Sequence, residues 1–221
     1  LPISAQRRGL GGAARWWLSR SLTALSEAIA AKGGELLVLR GDPAELLPGI
    51  VRQADVGHVA WNRRYDGAAI ALDKALKATL AESGVTVESF NANLLNEPWQ
   101  VKTKAEGPFK VFTPYWRAVR ESGEPSAPLP APARLSKARL PAALREQTLT
   151  VAGLALEPTK PDWAGGLREA WRPGEDGARD RLDTFLDETI AGYREARDLP
   201  DRLSTSRLSP HLRFGEISPR Q

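Results

Sequence analysis

The feature that most narrows the fold is an alternation of helical and strand patterns between Gly11 and Val87. From Ala14 to Ala31 the apolar residues Trp17, Leu18, Leu22, Leu25 and Ile29 recur at helical spacing, with Arg20 and Glu27 off that face. Lys32-Gly33-Gly34 supplies a cation and a glycine C-cap. Glu35 to Arg40 encloses the apolar run Leu36-Leu37-Val38-Leu39, which reads as a buried strand. Asp42-Pro43 opens a second helix, Ala44 to Ala54, with an N-cap and an N1 proline. A strand at Val56 to Asn62, a helix at Asp66 to Ser83 and a strand at Val85 to Phe90 repeat the cycle, with Ile70, Leu72, Ala75, Leu76 and Leu80 inward on the helix. Strands separated by helices of this length imply parallel pairing, so the region is expected to be α/β, a Rossmann-like doubly wound sheet. Such a domain opens on a strand and this one opens on a helix, so a first strand is expected upstream.

The second half is organised differently. Asn91 to Ala118 mixes aromatic and turn residues, with a short helix expected at Pro114 to Arg120. Gly123 to Pro132 holds four prolines in ten residues and reads as a semi-rigid linker. Ala133 to Gly174 has Leu and Trp anchors without a period, and its length implies that it packs against something. From Asp176 a helical pattern returns, with Ala178, Leu182, Phe185, Leu186, Thr189, Ile190 and Tyr193 on one face, closed by Asp198-Leu199-Pro200. Ser209-Pro210 and Ser218-Pro219 each read as an N-cap plus N1 proline.

Composition excludes several classes. Hydrophobic residues at 42% and charged residues at 26% rule out a wholly disordered or collagenous chain. With no cysteine there is no disulfide framework, thiolate metal site or cysteine nucleophile. The apolar runs are too short to cross a membrane, and Leu1-Pro2-Ile3-Ser4 lacks the order of a signal peptide, so a cytoplasmic protein is expected. A net charge of +4 permits a polyanionic partner without demanding one. The chain has no methionine and starts at Leu1, which fits a processed form or a piece of a longer protein.

The sharpest chemical signal is Thr205 to Pro210, where hydroxyl residues cluster with Arg207 at the mouth of a helix. Backbone N–H groups and hydroxyls there suit an anionic group such as a phosphate; an ordinary capped helix is the other reading. His58, next to Trp61 in a strand, reads as a structural imidazole, and His211 as a ligand contact or a cap. Two distant histidines make no metal site. There is no P-loop, GxGxxG or Ser/His/Asp order. Of the seven tryptophans, Trp16, Trp17, Trp61, Trp99 and Trp163 are expected as core or interface anchors.

Two runs carry a family resemblance. Asn91-Ala92-Asn93-Leu94-Leu95-Asn96-Glu97-Pro98-Trp99, with Lys110-Val111-Phe112-Thr113-Pro114-Tyr115-Trp116, resembles the end of the N-terminal α/β domain of DNA photolyases and cryptochromes. Gly192 to Asp198, with Thr205 to Pro219, resembles the opening of that family's helical FAD-binding domain. The resemblance spans essentially the whole chain. It implies an internal fragment: an α/β antenna domain at 1–120 lacking its first strand, a linker at 121–174, and the start of an all-α FAD-binding domain at 175–221. It also implies a class I deoxyribodipyrimidine photo-lyase, in which reduced FAD excited by blue light donates an electron to a cyclobutane pyrimidine dimer in DNA. A cryptochrome photoreceptor shares the fold and flavin, and a flavin-free α/β module is a third reading.

By resemblance, Tyr193, Thr205, Ser206, Arg207, Leu208 and Ser209 match FAD-contacting positions, and Arg197 matches a DNA-contacting one. Catalytic residues are expected beyond Gln221, so the fragment by itself is expected to be inactive. The antenna stays open: Ala68-Ala69 stands where methenyltetrahydrofolate-binding relatives carry Asn-Glu. DNA bearing pyrimidine dimers is the expected partner, with no membrane and a monomeric state.

Overall fold

A computed structural model describes residues 9–221; the reading of residues 1–4 as lacking a signal sequence lies outside them. Helix α1 spans Gly12–Ala31. It ends where the N–H groups of Gly33 and Gly34 donate back to the carbonyls of Ala30 and Ile29. Gly33 turns there at φ +87°, a conformation that side chains disfavour. Helix α2, Pro43–Gln53, opens as the sequence predicts: Oδ1 of Asp42 accepts from the Ala44 N–H at 2.9 Å and Pro43 has no N–H to satisfy. Asp66 does the same for α3, Gly67–Glu82, accepting from the Ala69 N–H at 2.9 Å.

Strands β1 (His58–Asn62) and β2 (Thr86–Phe90) flank α3 and pair in parallel, from His58 opposite Thr86 to Asn62 opposite Phe90. This is the βαβ unit that the alternation implies, and the α/β class holds. Val59, Trp61 and Val87 point to one face and join Val51, Leu80 and Val85 in a core where Leu80 is fully buried. The other face carries His58 and Glu88, 3.0 Å apart in the open, so His58 is a surface residue. On α3 the inward set narrows to Ala69, Leu76 and Leu80; Ile70 is half exposed and Ala75 is exposed.

The expected strand at Glu35 to Arg40 contracts to one antiparallel bridge, Val38 with Leu149. The Leu149 N–H donates to the Val38 carbonyl at 2.8 Å. A ladder needs successive partners, and among the described residues only this point of the connector supplies one.

The connector does pack, as its length implies. The Leu135 N–H donates to the Lys32 carbonyl at 2.7 Å, Arg145 meets Glu35 at 3.0 Å, and Glu157 accepts from Ser19 and Arg20 at 2.9 Å each. Helix α4 (Phe112–Glu121) precedes the proline linker, which is extended and exposed; short helices α5 (Ala142–Arg145) and α6 (Gly165–Ala170) punctuate the connector.

A second core forms around α1. Trp16, Trp17 and the fully buried Ala164 pack with Leu167, Trp171 and Phe214. Burial on α1 concentrates where these partners lie, and Leu25, expected inward, is exposed. Trp99 and Trp163 are about half exposed at 53% and 47%, so neither is a core residue.

The long helix expected from Asp176 is segmented. Helix α7 covers Glu175–Thr184, a π-type turn covers Phe185–Thr189, a 3₁₀ turn covers Ile190–Gly192, and α8 covers Tyr193–Ala196. Leu186 and Ile190 on the expected buried face are about half exposed. A regular helix draws most of its stability from packing such a face, and little covers this one among the described residues. Helix α9 is Ser209–Phe214.

Candidate functional site

Ser209 enters α9 as its first residue and makes no capping hydrogen bond; Leu208 stands at the N-cap position. The second Ser-Pro pair opens a turn, in which Oγ of Ser218 accepts from the Arg220 N–H at 3.2 Å. His211 does not cap α9. It is buried at 1% exposure, its ring 5.0 Å from that of Trp17, and its Nδ1 lies 2.5 Å from Oε2 of Glu216. Glu216 also accepts from the Trp17 indole N–H at 3.0 Å, which fastens the C-terminal segment to α1.

The loop before α9 holds most of the candidate cofactor residues. Ser204 is buried and donates to the Ala196 carbonyl at 2.6 Å, tying the loop to the end of α8. The hydroxyls of Thr205, Ser206 and Ser209 make no hydrogen bond among the described residues. Arg207 adopts φ +53° and lays its guanidinium 4.4 Å from the centre of the Trp171 ring. Arg181 of α7 approaches the same ring at 5.4 Å. Burial, and then the charge of Arg207, holds the Arg181 guanidinium below its ordinary value. Trp171 is the member that sequence reasoning missed, because its partners come from α7 and the loop, 10 and 36 positions away.

Tyr193 and Arg197 lie together on α8 and its C-cap. The Arg197 guanidinium sits 5.9 Å from the Tyr193 ring and 3.5 Å from Asp198, and it is exposed. Tyr193 meets Phe185 edge to face at 5.7 Å. The structure thus groups Tyr193 with Arg197, and joins their helix to the 205–209 loop through Ser204.

A second polar centre lies at the carboxyl ends of β1 and β2, where open α/β sheets characteristically bind ligands. Arg63 grips Glu97 through two hydrogen bonds of 2.5 and 2.9 Å, and Tyr65 donates to the same carboxylate at 2.7 Å. Burial opposes ionisation of Glu97. The hydrogen bonds from Arg63 and Tyr65 and the charges of Arg63 and Arg220 outweigh it, so the carboxyl is held below its usual range. Beside this cluster is a cavity of about 330 Å³ lined by Trp61, Trp99, Ile70, Lys74 and Lys77. Lys77 donates to Oγ of Ser89 at 2.6 Å, and the buried Nε1 of Trp61 has no partner among the described residues. The sequence signal for this centre was present in Arg63-Arg64-Tyr65 directly after a strand. No group of His, Asp and Glu among the described residues could hold a metal ion, and no helix there is long and apolar enough to cross a membrane.

Comparison with known proteins shows what the chain is similar to. The family model described as DNA photolyase matches residues 3–133. The deoxyribodipyrimidine photo-lyase of Agrobacterium fabrum is 45% identical over 210 residues, covering 95% of this chain and 43% of that protein. Cryptochrome-2 of Arabidopsis thaliana is 34% identical over 212 residues, covering 95% of this chain and 34% of that protein. The crystal structure of a bacterial class III photolyase from Agrobacterium tumefaciens superposes with a TM-score of 0.90 at 44% identity, over 97% of this chain and 44% of that one. The chain therefore spans less than half the length of these relatives. The expected class I assignment finds no support here, since the solved relative at 44% identity is of class III. With the family model matched over more than half its residues and the same α/β architecture in a solved member, the chain belongs to the DNA photolyase family.

Proposed function

We propose that this chain forms part of a deoxyribodipyrimidine photo-lyase of the class III kind, which repairs pyrimidine dimers in DNA under blue light. The observation that carries this reading is the 45% identity to a deoxyribodipyrimidine photo-lyase over 95% of the chain. Residues 1–120 would form the α/β domain, 121–174 the linker and 175–221 the start of the FAD-binding domain. Bound reduced FAD would supply the electron that splits the dimer's cyclobutane ring.

The chain's own residues have binding and orienting tasks in this reading. Thr205, Ser206 and Ser209 offer free hydroxyls, and Arg207 an unpaired guanidinium, to the cofactor's diphosphate. The donor set fits a group with several anionic oxygens and no metal. Leu208 closes the loop against α9, and Tyr193 forms a further wall of the cofactor site. Arg197, exposed at the C-cap of α8, would meet a DNA phosphate. Ala68-Ala69 speaks against a methenyltetrahydrofolate held through an Asn-Glu pair, and the antenna group stays open. A protein acting as a monomer in the cytoplasm completes the proposal.

Cryptochrome is the second reading, favoured by the 34% identity to a plant cryptochrome over the same stretch. The deciding experiment uses the complete gene product and follows thymine dimers in irradiated DNA under blue light and in darkness. Light-dependent loss of dimers supports the photolyase reading. Unchanged dimers in a protein that holds FAD would select the cryptochrome.

A further inference from the structure

The described arginines differ in what their guanidinium groups meet. Arg63, Arg64, Arg145, Arg168, Arg172 and Arg179 each meet a carboxylate within salt-bridge distance. Arg181 and Arg207 meet none among the described residues, although both are half-buried and share one indole ring. A guanidinium over an aromatic face leaves its N–H donors unused by the ring. Arg207 has no hydrogen-bond acceptor among the described residues, and Arg181 reaches only the Ala170 carbonyl, at a long 3.4 Å.

Two half-buried like charges held by one ring repel each other unless an anion lies between or beside them. Arg207 is further held at φ +53°, a conformation a β-carbon disfavours, with the unpartnered hydroxyls of Thr205, Ser206 and Ser209 beside it. The cation pair comes from two separate elements, α7 and the loop, and Trp171 orients both.

We propose that Arg181 is the second arm of an anion clamp, acting with Arg207 across Trp171 to grip the diphosphate of the flavin dinucleotide. This rests on the flavin reading above, and it adds a residue from α7 to a site otherwise drawn from the loop and α8. A diphosphate carries two adjacent charges and matches two guanidinium forks better than one. Trp171 is the positioning residue, and Arg181 is a binding residue.

The test uses the full-length protein stripped of flavin and titrated with FAD and with riboflavin, which has the same ring system but no phosphate. Arg181→Gln is expected to weaken FAD binding about tenfold or more while leaving riboflavin unchanged. Arg181→Lys, which keeps the charge but loses the fork, should recover part of the loss. A salt series on the unaltered protein gives an independent readout: FAD affinity should fall with ionic strength and riboflavin affinity should not. Equal weakening of FAD and riboflavin by Arg181→Gln would overturn the clamp and make Arg181 structural. An unchanged FAD affinity together with weakened binding to undamaged DNA would assign the pair to the nucleic-acid backbone instead. Failure of the unaltered protein to bind either flavin would overturn the flavin reading itself, and the clamp with it.

Discussion

The indole N–H of Trp17 donates to Oε1 of Glu216 at 3.0 Å, across 199 positions of sequence, with both side chains buried. Glu216 takes its other contact from Nδ1 of His211, so one carboxylate joins helix α1 to the C-terminal segment. Trp17→Phe keeps most of the apolar volume and removes the donor. It should cost about 1–3 kcal/mol, because a buried carboxylate oxygen loses its partner. Urea denaturation of the variant and the unaltered protein measures the difference. A change within error would mean that Glu216 is held by His211 alone.

Gly177 offers a prediction of sign. It lies inside α7, where alanine normally stabilises a helix by about 0.5–1 kcal/mol over glycine. A β-carbon at this position would overlap the carbonyl oxygen of Arg172, a backbone atom that cannot swing aside. Gly177→Ala should therefore destabilise, by about 1–3 kcal/mol. A rise in melting temperature would show that the Arg172 backbone yields.

Leu80 anchors the α/β core at full burial between Val51 and Val85. Leu80→Ala should cost about 2–5 kcal/mol through lost transfer energy and the cavity left behind. The neighbouring exposed change Ile70→Ala should cost far less, as Ile70 is half exposed. Chemical denaturation of the pair checks the ranking.

The Arg63–Glu97–Tyr65 cluster sets an acid limit. Burial raises the Glu97 carboxyl, the Arg63 and Tyr65 hydrogen bonds lower it more, and the folded-state value falls below the ordinary one of 4.5. A depressed folded value contributes stability that is present above the unfolded value and is lost as pH falls through the folded one. Stability should thus decline as pH drops below about 4.5, and Glu97→Gln should flatten that part of the profile. Denaturation midpoints measured between neutral and acid pH test this; parallel profiles for the two proteins would count against it.

The loop hydroxyls can be tested together. Thr205→Val with Ser206→Ala removes two hydroxyls that have no protein partner, so folding stability should barely move. In the full-length protein FAD affinity should fall about tenfold. Titration by flavin fluorescence measures it, and an unchanged affinity would remove these residues from the proposed site.

The sequence by itself determined whatever depends on neighbours along the chain. Asp42 and Asp66 cap their helices through atoms two and three residues away, so both helix starts were legible. The alternation of β1, α3 and β2 fixed parallel pairing, since a strand reached through a helix returns in the same direction. The Thr205–Pro210 cluster stood out as a run of hydroxyls, and its hydroxyls are unpartnered in the fold. The extent of the expected strand around Val38 was not legible, because a strand exists only with a ladder beside it, and among the described residues just Leu149 pairs there.

Only the tertiary structure decided what distant elements do to one another. His211 read as a cap or ligand contact because its neighbours are helix-forming; the fold buried it against Trp17, far away in sequence. In sequence, Arg181 lies off the apolar face that Ala178, Leu182 and Phe185 mark out, and its spacing gives it no partner. Packing set it beside Trp171 and Arg207 with no carboxylate in reach among the described residues, and that arrangement gives the residue its chemistry. Local pattern selects an element and its ends, but burial and charge pairing arise between elements, where sequence spacing carries no distance.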